Sequence, residues 1–334
     1  MAADWQTLRL DDPRLAWPGA ISLQRTAEWV QPWRLPHDRL GLFPPDLLRE
    51  RAAMPAGVRL AFRSDATALA GTIVPQVELA PLDLCCDGVL LCSFDIAGQE
   101  RFDFTGLPAG DKLIELWLPQ FGAFRLRSLA LNAGATLAPA TEQQPRWLTY
   151  GSSITQCRAA ASPARTWPAI VARTRGYDLT CLGYGGQCHL DPLIAKLIRD
   201  RPADYLSLCV GINIYGSGSF NARSFGPAII GFVQTIREGH PETPLVVQSP
   251  IFSPPRETTP NAAGFTLQAM REEVAAAVAA LQAAGDQHVY YVDGLTILGA
   301  DQAHRLPDDL HPDAEGYALM AGNFLREVAQ KYFC

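Results

Sequence analysis

Hydrophobic and polar positions change their period part-way along the chain. From Val58 to about residue 132 they alternate: Val58, Leu60 and Phe62 interleave with Arg59, Ala61 and Arg63, and Phe102 and Phe104 with Arg101 and Asp103. A period of two sends successive side chains to opposite faces of a strand, one toward a core and one toward water. Turn signals separate the runs: Ser64-Asp65, Asp87-Gly88 and Pro108-Ala109-Gly110. The second suits a two-residue hairpin. Many short antiparallel strands predict a β-sandwich.

Past Gly134 the polar, Pro-containing stretch Ala135 to Pro145 has no period and reads as a linker. Beyond it, short apolar runs alternate with helical patterns. The runs are Trp147–Tyr150, Leu179–Leu182, Tyr205–Val210, Leu245–Gln248 and Val289–Val292. Helices are expected at about 163–175, 190–200, 222–238, 264–284 and 313–331. Strands separated by helices predict a parallel α/β sheet. Two domains follow, residues 1–140 and 141–334, in line with 334 residues at roughly 150 per domain. In such a sheet, ligands bind beyond the carboxyl ends of the strands, so the residues just after each apolar run are where chemistry is expected.

Composition narrows the class. With 48% hydrophobic and 19% charged residues, the chain is globular rather than disordered. A net charge of −6 supplies no basic footprint, so neither nucleic acid nor an anionic membrane surface is an expected partner. Neither the N-terminal residues nor any later apolar run reads as a signal or a membrane span. Eight cysteines, two of them adjacent as Cys85 and Cys86, do not form a disulfide framework and fit a reduced, cytoplasmic protein. The gap between Cys181 and Cys188 fits no common zinc pattern, and no metal or other cofactor is expected.

Four segments after strands carry polar residues. Gly151-Ser152-Ser153-Ile154-Thr155 sets a hydroxyl on a tight strand-to-helix turn, which by itself reads as a helix N-cap before it reads as an exposed nucleophile. Asp308-Asp309-Leu310-His311-Pro312 lets Asp308 fold back on the imidazole of His311, fixing its tautomer; it also reads as a solvated acidic turn before a helix. Gly183-Tyr184-Gly185-Gly186-Gln187 and Gly211-Ile212-Asn213 offer a backbone N–H and a side-chain amide for a developing oxyanion, or merely turns. The first of these lacks the last glycine of a dinucleotide fingerprint, and neither G-x-S-x-G nor S-x-x-K surrounds Ser153.

In order, the blocks Gly151-Ser152-Ser153-Ile154, Gly186, Gly211-Ile212-Asn213 and Asp308-Asp309-Leu310-His311 resemble those of the SGNH, or GDSL-type, hydrolases, over about residues 146–334. Ser152 stands where that family usually has Asp. The first half, with Pro81-Leu82-Asp83-Leu84-Cys85-Cys86-Asp87-Gly88, resembles the sandwich domain that precedes some bacterial members. The resemblance implies a flavodoxin-like three-layer α/β/α domain after a jelly-roll-like sandwich that flanks the site or shapes access to it. It implies a serine esterase acting on a small-molecule ester, with a carbohydrate or small-molecule deacylase as its more specific form, and with Ser153 as nucleophile, His311 as base and Asp308 as its orienter, Asp309 standing second. Ser153, Gly186 and Asn213 would form the oxyanion hole.

His189 is a rival base that capping or exposure explains better, and Cys157 and Cys188 read as buried filler. Tyr184, Tyr215 and Phe252, with Phe220, fall in loops at the expected active edge, as substrate-binding faces or loop packing. Arg256, in Ser253-Pro254-Pro255-Arg256, is set for a substrate carboxylate or phosphate, or for a surface ion pair. An acyltransferase needs the same residues as a hydrolase. A non-catalytic carbohydrate-binding protein would lack a block, and none is missing. Acyl group, alcohol and oligomeric state are not legible.

Overall fold

The structure, a computed structural model, describes residues 4–140 and 143–333. Met1–Ala3 of the N-terminus, Thr141 and Glu142 of the expected linker, and Cys334 lie outside the described residues. The chain divides into two compact units: Met1–Gln144 with Ala161–Ala169 and Asp178–Cys181, and Pro145–Ala160, Ile170–Tyr177 and Leu182–Cys334.

The first unit contains two antiparallel sheets. One takes the order β2-β3-β10-β5-β8, with β1 also on β10, from β1 (Trp5–Leu8), β2 (Ser22–Arg25), β3 (Val30–Trp33), β5 (Ala68–Ile73), β8 (Arg101–Thr105) and β10 (Leu126–Asn132). The other is β4-β9-β6-β7, from β4 (Arg59–Ser64), β6 (Leu82–Cys86), β7 (Val89–Phe94) and β9 (Lys112–Trp117). One short helix, α1 (Asp46–Ala52), precedes β4. A single core joins Phe62, Leu84, Ile114 and Leu116 of the smaller sheet to Leu69, Phe102, Phe104, Leu126 and Leu129 of the larger, which makes the unit a sandwich. Asp87 and Gly88 close β6 on β7 with φ of 47° and 75°, the double positive φ of a type I′ turn. Ala135 and Leu137 pack against the core, and Ala138 bridges to Arg63, so the start of the expected linker belongs to this unit.

Alternation holds where one face meets water, as on β8, whose odd-numbered positions are exposed and even ones buried. It fails on β4, β6 and β9, which are buried on both faces apart from Arg63. Arg59, expected on a wet face, is only 2% exposed. Its guanidinium bonds Glu115 at 3.1 Å and Asp178 at 2.7 Å and lies 4.8 Å from the Trp117 ring centroid. A buried cation persists only when paired and hydrogen-bonded in this way.

Five further strands, most of them in the second unit, are β11 (Arg146–Gly151), β12 (Asp178–Gly183), β13 (Tyr205–Cys209), β14 (Leu245–Gln248) and β15 (Val289–Val292). They form one sheet of order β12-β11-β13-β14-β15. The pairs from β11 to β15 are parallel. Counted along the chain the order is 2-1-3-4-5, the flavodoxin-like arrangement. Trp147 and Tyr150, three apart on β11, point to opposite faces. Trp147 meets Phe324 of α8 (Ala314–Phe324) at 5.2 Å between ring centroids, while Tyr150 stacks on Phe232 of α6 (Phe225–Arg237) at 5.3 Å. Helices therefore cover both faces. Besides α2 and α5, described below, they include α3 (Trp167–Arg175), α4 (Pro192–Arg199) and α7 (Leu267–Ala283).

The helix expected over 163–175 begins only at Trp167, because Thr166 is extended and receives the Ala169 N–H on its hydroxyl, ending the 3₁₀ turn Pro163–Arg165. The last helix continues from α8 through a π turn at Leu325–Ala329 to α9 (Gln330–Tyr332). Among the described residues no helix is long and apolar enough to cross a membrane, and no group of His, Cys, Asp or Glu suits a metal ion.

Replacing Arg59 by Ala would strand Glu115 without its cation in a buried setting. We expect Arg59→Ala to lower unfolding free energy by about 3–5 kcal/mol, read in a urea titration of the full chain. Arg59→Met with Glu115→Leu should recover much of that loss; equal stability of wild type and Arg59→Ala would refute this account.

Candidate active site

The four polar segments meet at the carboxyl edge of the parallel sheet. β11 ends at Gly151, and α2 (Ser153–Gln156) starts at once. Ser152 is its N-cap, in extended conformation, with its hydroxyl accepting the Ile154 N–H at 3.2 Å. The capping role expected for one of the two serines thus falls to Ser152 and leaves the Ser153 hydroxyl free for another partner. The turn is tight: a Cβ at Gly151 would lie 2.1 Å from Thr155 Oγ1, and one at Gly183 would lie 2.5 Å from the Gln156 nitrogen. Both strands must end in glycine for α2 to sit over them.

Ser153 Oγ is 2.8 Å from His311 Nε2, and His311 Nδ1 is 2.7 Å from Asp308 Oδ2. A carboxylate only accepts, so Nδ1 carries the proton and Nε2 presents its lone pair to the serine hydroxyl. The other Asp308 oxygen accepts the backbone N–H groups of His311 and Leu310 at 2.6 and 3.1 Å. Partial burial pushes the Asp308 carboxyl upward, but these hydrogen bonds and the imidazole outweigh it and hold the group below its ordinary value. Asp309 turns the loop with φ of 58°; its carbonyl, not its carboxylate, is the part that is held, by Ser253 Oγ at 2.6 Å and Arg256 Nη1 at 3.1 Å.

Opposite the serine, Gly186 takes φ of 73°, and its carbonyl accepts from Gln187 Nε2 at 2.7 Å and His189 Nε2 at 3.1 Å. The Gln156 side chain receives the Gly185 N–H at 2.8 Å. Asn213, in α5 (Ile212–Ser217), accepts the Cys188 N–H on Oδ1 at 3.0 Å, which turns its NH₂ to the other side. Among the described residues, the N–H groups of Ser153 and Gly186 meet no acceptor. Ser153, Gly186, Ile212, Asn213, Gly216, Ser217, Arg256 and Leu310 line one cavity of about 260 Å³.

The serine directly after the first strand of the sheet and the histidine beyond its last both lie within the span over which the chain matches the GDSL-like lipase/acylhydrolase family, residues 149–319. The chain belongs to that family. Residues 15–127 match the family described as SsfX3, N-terminal domain. Among solved structures, the salicylyl-acyltransferase SsfX3 from a tetracycline biosynthetic pathway is 39% identical, covering 98% of this chain and 97% of that one with a TM-score of 0.90. A GDSL-like lipase from Bacteroides ovatus is 20% identical over 98% and 97% of the two chains, with a TM-score of 0.79. A family two carbohydrate esterase from Clostridium thermocellum is 16% identical over 83% and 93%, with a TM-score of 0.65. Among curated proteins none matches the chain.

As a member of the GDSL-like family, the protein is an enzyme of the acyl-serine kind. Not every residue expected at its site is there. Tyr184 is a correction: it is fully buried, its ring edge-on to Tyr150 at 6.5 Å, because its N–H still bonds the Gly151 carbonyl and keeps the side chain in the core. Tyr215 is outside the cavity wall, its hydroxyl donating to the Thr259 carbonyl at 2.9 Å. Phe252 lines a different cavity, with Pro254, Arg271 and Tyr291 among its walls. His189 spends both ring nitrogens, on Gly186 and on Ser219 Oγ at 2.9 Å, so it clamps the Gly186 loop and does not reach Ser153. Cys157 and Cys188 are buried, and burial pushes the Cys188 thiol far up, away from thiolate chemistry. The Cys188 N–H and the Gln156 amide were not legible as site groups, since one is backbone and the other is a single glutamine on a one-turn helix.

A carboxyl whose value is lowered on folding adds stability that is present above its unfolded value and is lost as pH falls through the folded one. Asp308→Asn should therefore cost up to about 1 kcal/mol at neutral pH, as the carboxylate is 55% exposed. That gap to wild type should shrink as pH falls below 3.8. Urea unfolding at a series of pH values checks this, and a gap that persists undiminished into acid contradicts it.

Proposed function

We propose that the protein cleaves a small carboxylic ester through an acyl-Ser153 intermediate. The observation carrying this reading is the run Asp308–His311–Ser153, hydrogen-bonded at 2.7 and 2.8 Å, beside N–H donors with no acceptor among the described residues. Ser153 Oγ attacks the carbonyl carbon while its proton passes to His311 Nε2, and Asp308 stabilises the imidazolium. The carbonyl π pair moves onto oxygen, which is received by the N–H groups of Ser153 and Gly186 and by Asn213 Nδ2. Collapse breaks the bond to the leaving oxygen, which takes the proton from Nε2 and departs as the alcohol. Water then gives a proton to Nε2 and attacks the acyl carbon; collapse breaks the bond to Ser153 Oγ, which takes the proton back from Nε2 as the acid leaves.

A cavity of about 260 Å³ lies just below the roughly 300–1,000 Å³ of sites for drug-sized ligands, which favours a short or single-ring acyl group over a long chain. An alcohol in place of water in the last step makes the same site an acyltransferase. The 39% identity along nearly the whole of a salicylyl-acyltransferase favours that second reading and an aromatic acyl group. Likeness to carbohydrate esterases extends to the fold alone, so a sugar ester is one candidate among small esters. Cys86 and Cys188, which stay as thiols, support a reducing, cytoplasmic setting.

Ser153→Ala should abolish hydrolysis of short aryl esters and labelling by a fluorophosphonate, and undiminished turnover by this variant would sink the proposal. Asn213→Ala should remain folded and lose about 10²–10³ in kcat. Product analysis with a competing alcohol separates transfer from hydrolysis.

A further inference from the structure

Of the eight residues lining the cavity, Arg256 alone is charged. Two other arginines of this unit that are buried or partly buried have carboxylate partners: Arg271 pairs with Glu257, and Arg237 with Asp286 at 2.8 Å. Arg256 has none among the described residues. Its Nη1 donates to Ser253 Oγ at 2.9 Å and to the Asp309 carbonyl at 3.1 Å, while Nε and Nη2 meet no acceptor among the described residues. The acidic side chains of the next residue and of the histidine loop are otherwise placed. Glu257 is held by Arg271 and by the Ser253 N–H at 3.0 Å, and Asp308 by His311. A half-buried guanidinium is thus anchored at one nitrogen, with its Nε–Nη2 edge unused, in the wall of the cavity that holds Ser153.

We propose that Arg256 is a specificity-determining residue that receives a carboxylate on the substrate, through the Nε–Nη2 edge. That edge carries two parallel N–H donors spaced to match the two oxygens of a carboxylate, the geometry in which a guanidinium outperforms an ammonium. The donors elsewhere in the wall, on Ser153, Gly186, Asn213 and Ser217, are neutral, and Arg256 is the lining residue that brings a full positive charge for a carboxylate. The inference rests on the acyl-Ser153 reading for its site and names the class of ester that the site takes: a half-ester of a dicarboxylic acid, or an ester of a carboxylate-bearing alcohol.

Binding tests it apart from catalysis. In full-length protein with Ser153→Ala, monomethyl succinate should bind roughly tenfold to a hundredfold more tightly than dimethyl succinate by calorimetry, the scale of a hydrogen bond to a charged group. Adding Arg256→Gln should erase that difference, and Arg256→Lys should restore only part of it. In protein with Ser153 intact, the kcat/KM ratio of mono-4-nitrophenyl succinate to its methyl ester, and of 4-acetoxybenzoate to its methyl ester, tells whether the carboxylate belongs on the acyl or the alcohol side. The preferred pair should lose its ratio in Arg256→Gln. Using the ratio removes any common loss from release of the Asp309 loop. Equal binding of the two succinates, or a preference that survives Arg256→Gln, overturns the proposal. Turnover that survives Ser153→Ala instead overturns the acyl-serine reading and leaves the binding result to stand on its own.

Discussion

A parallel sheet delivers the carboxyl ends of all its strands to one edge, and every functional group of this site depends on that constraint. Ser153 follows β11, Gly186 follows β12, Asn213 follows β13, Arg256 follows β14, and His311 lies beyond β15. Such residues meet only if the chain turns sharply at each strand end. Glycine meets that need where packing leaves no room for a Cβ, as at Gly151 and Gly183 under α2, and at Gly211, where φ is 118° and a Cβ would lie 2.7 Å from the Pro250 ring. Sheet topology sets the address of the site, and close packing sets which residue types can occupy the turns.

Within that edge, the imidazole is held by backbone as much as by side chains. Asp308 binds the ring of His311 and the N–H groups of Leu310 and His311 at once, so the loop that carries the base is closed by its own orienting carboxylate. Next along the chain, the Asp309 carbonyl is tied to Ser253 and Arg256, and the Ser253 N–H is tied to Glu257, which pairs with the buried Arg271 of α7. A chain of polar contacts therefore runs from a core helix to the histidine loop. Keeping N–H donors without acceptors on the opposite side costs stability in the resting protein, about 1–3 kcal/mol for a group cut off from both partner and water, and less in an open cavity. The tied loops hold those donors in position for an oxyanion without further reorganisation.

Much of this was legible in the residues. The five apolar runs of the second half each became a strand, since a short apolar run between helical patterns has few other ways to bury both its faces. Asp308 and His311, three apart, were legible as a pair because a tight turn brings such residues together. Tyr184 was misplaced because strand pairing continues two residues past the apolar run, which returns the ring to the core. Arg59 was misplaced because alternation assumes one wet face, whereas β4 and its neighbour β9 are buried on both. The clamp on Asp309 was illegible in principle: it is made to a carbonyl, which every residue possesses, and no residue type announces it.

Arg256 shows how one side chain serves two of these needs without conflict. A guanidinium has five N–H donors in a rigid plane, and the hydrogens on Nη1 are enough for Ser253 and Asp309. Those on Nε and Nη2 point along a different edge, so a ligand in the cavity need not compete with the loop for them. An ammonium has three donors on a single nitrogen and no fixed edge; to hold the loop and an anion together, it would have to divide one small tetrahedral set between them. The loop contacts fix the plane of the guanidinium in advance, so little side-chain entropy remains to be lost when the free edge is used. Holding the base and choosing the substrate are thereby separate tasks on separate edges of the same group.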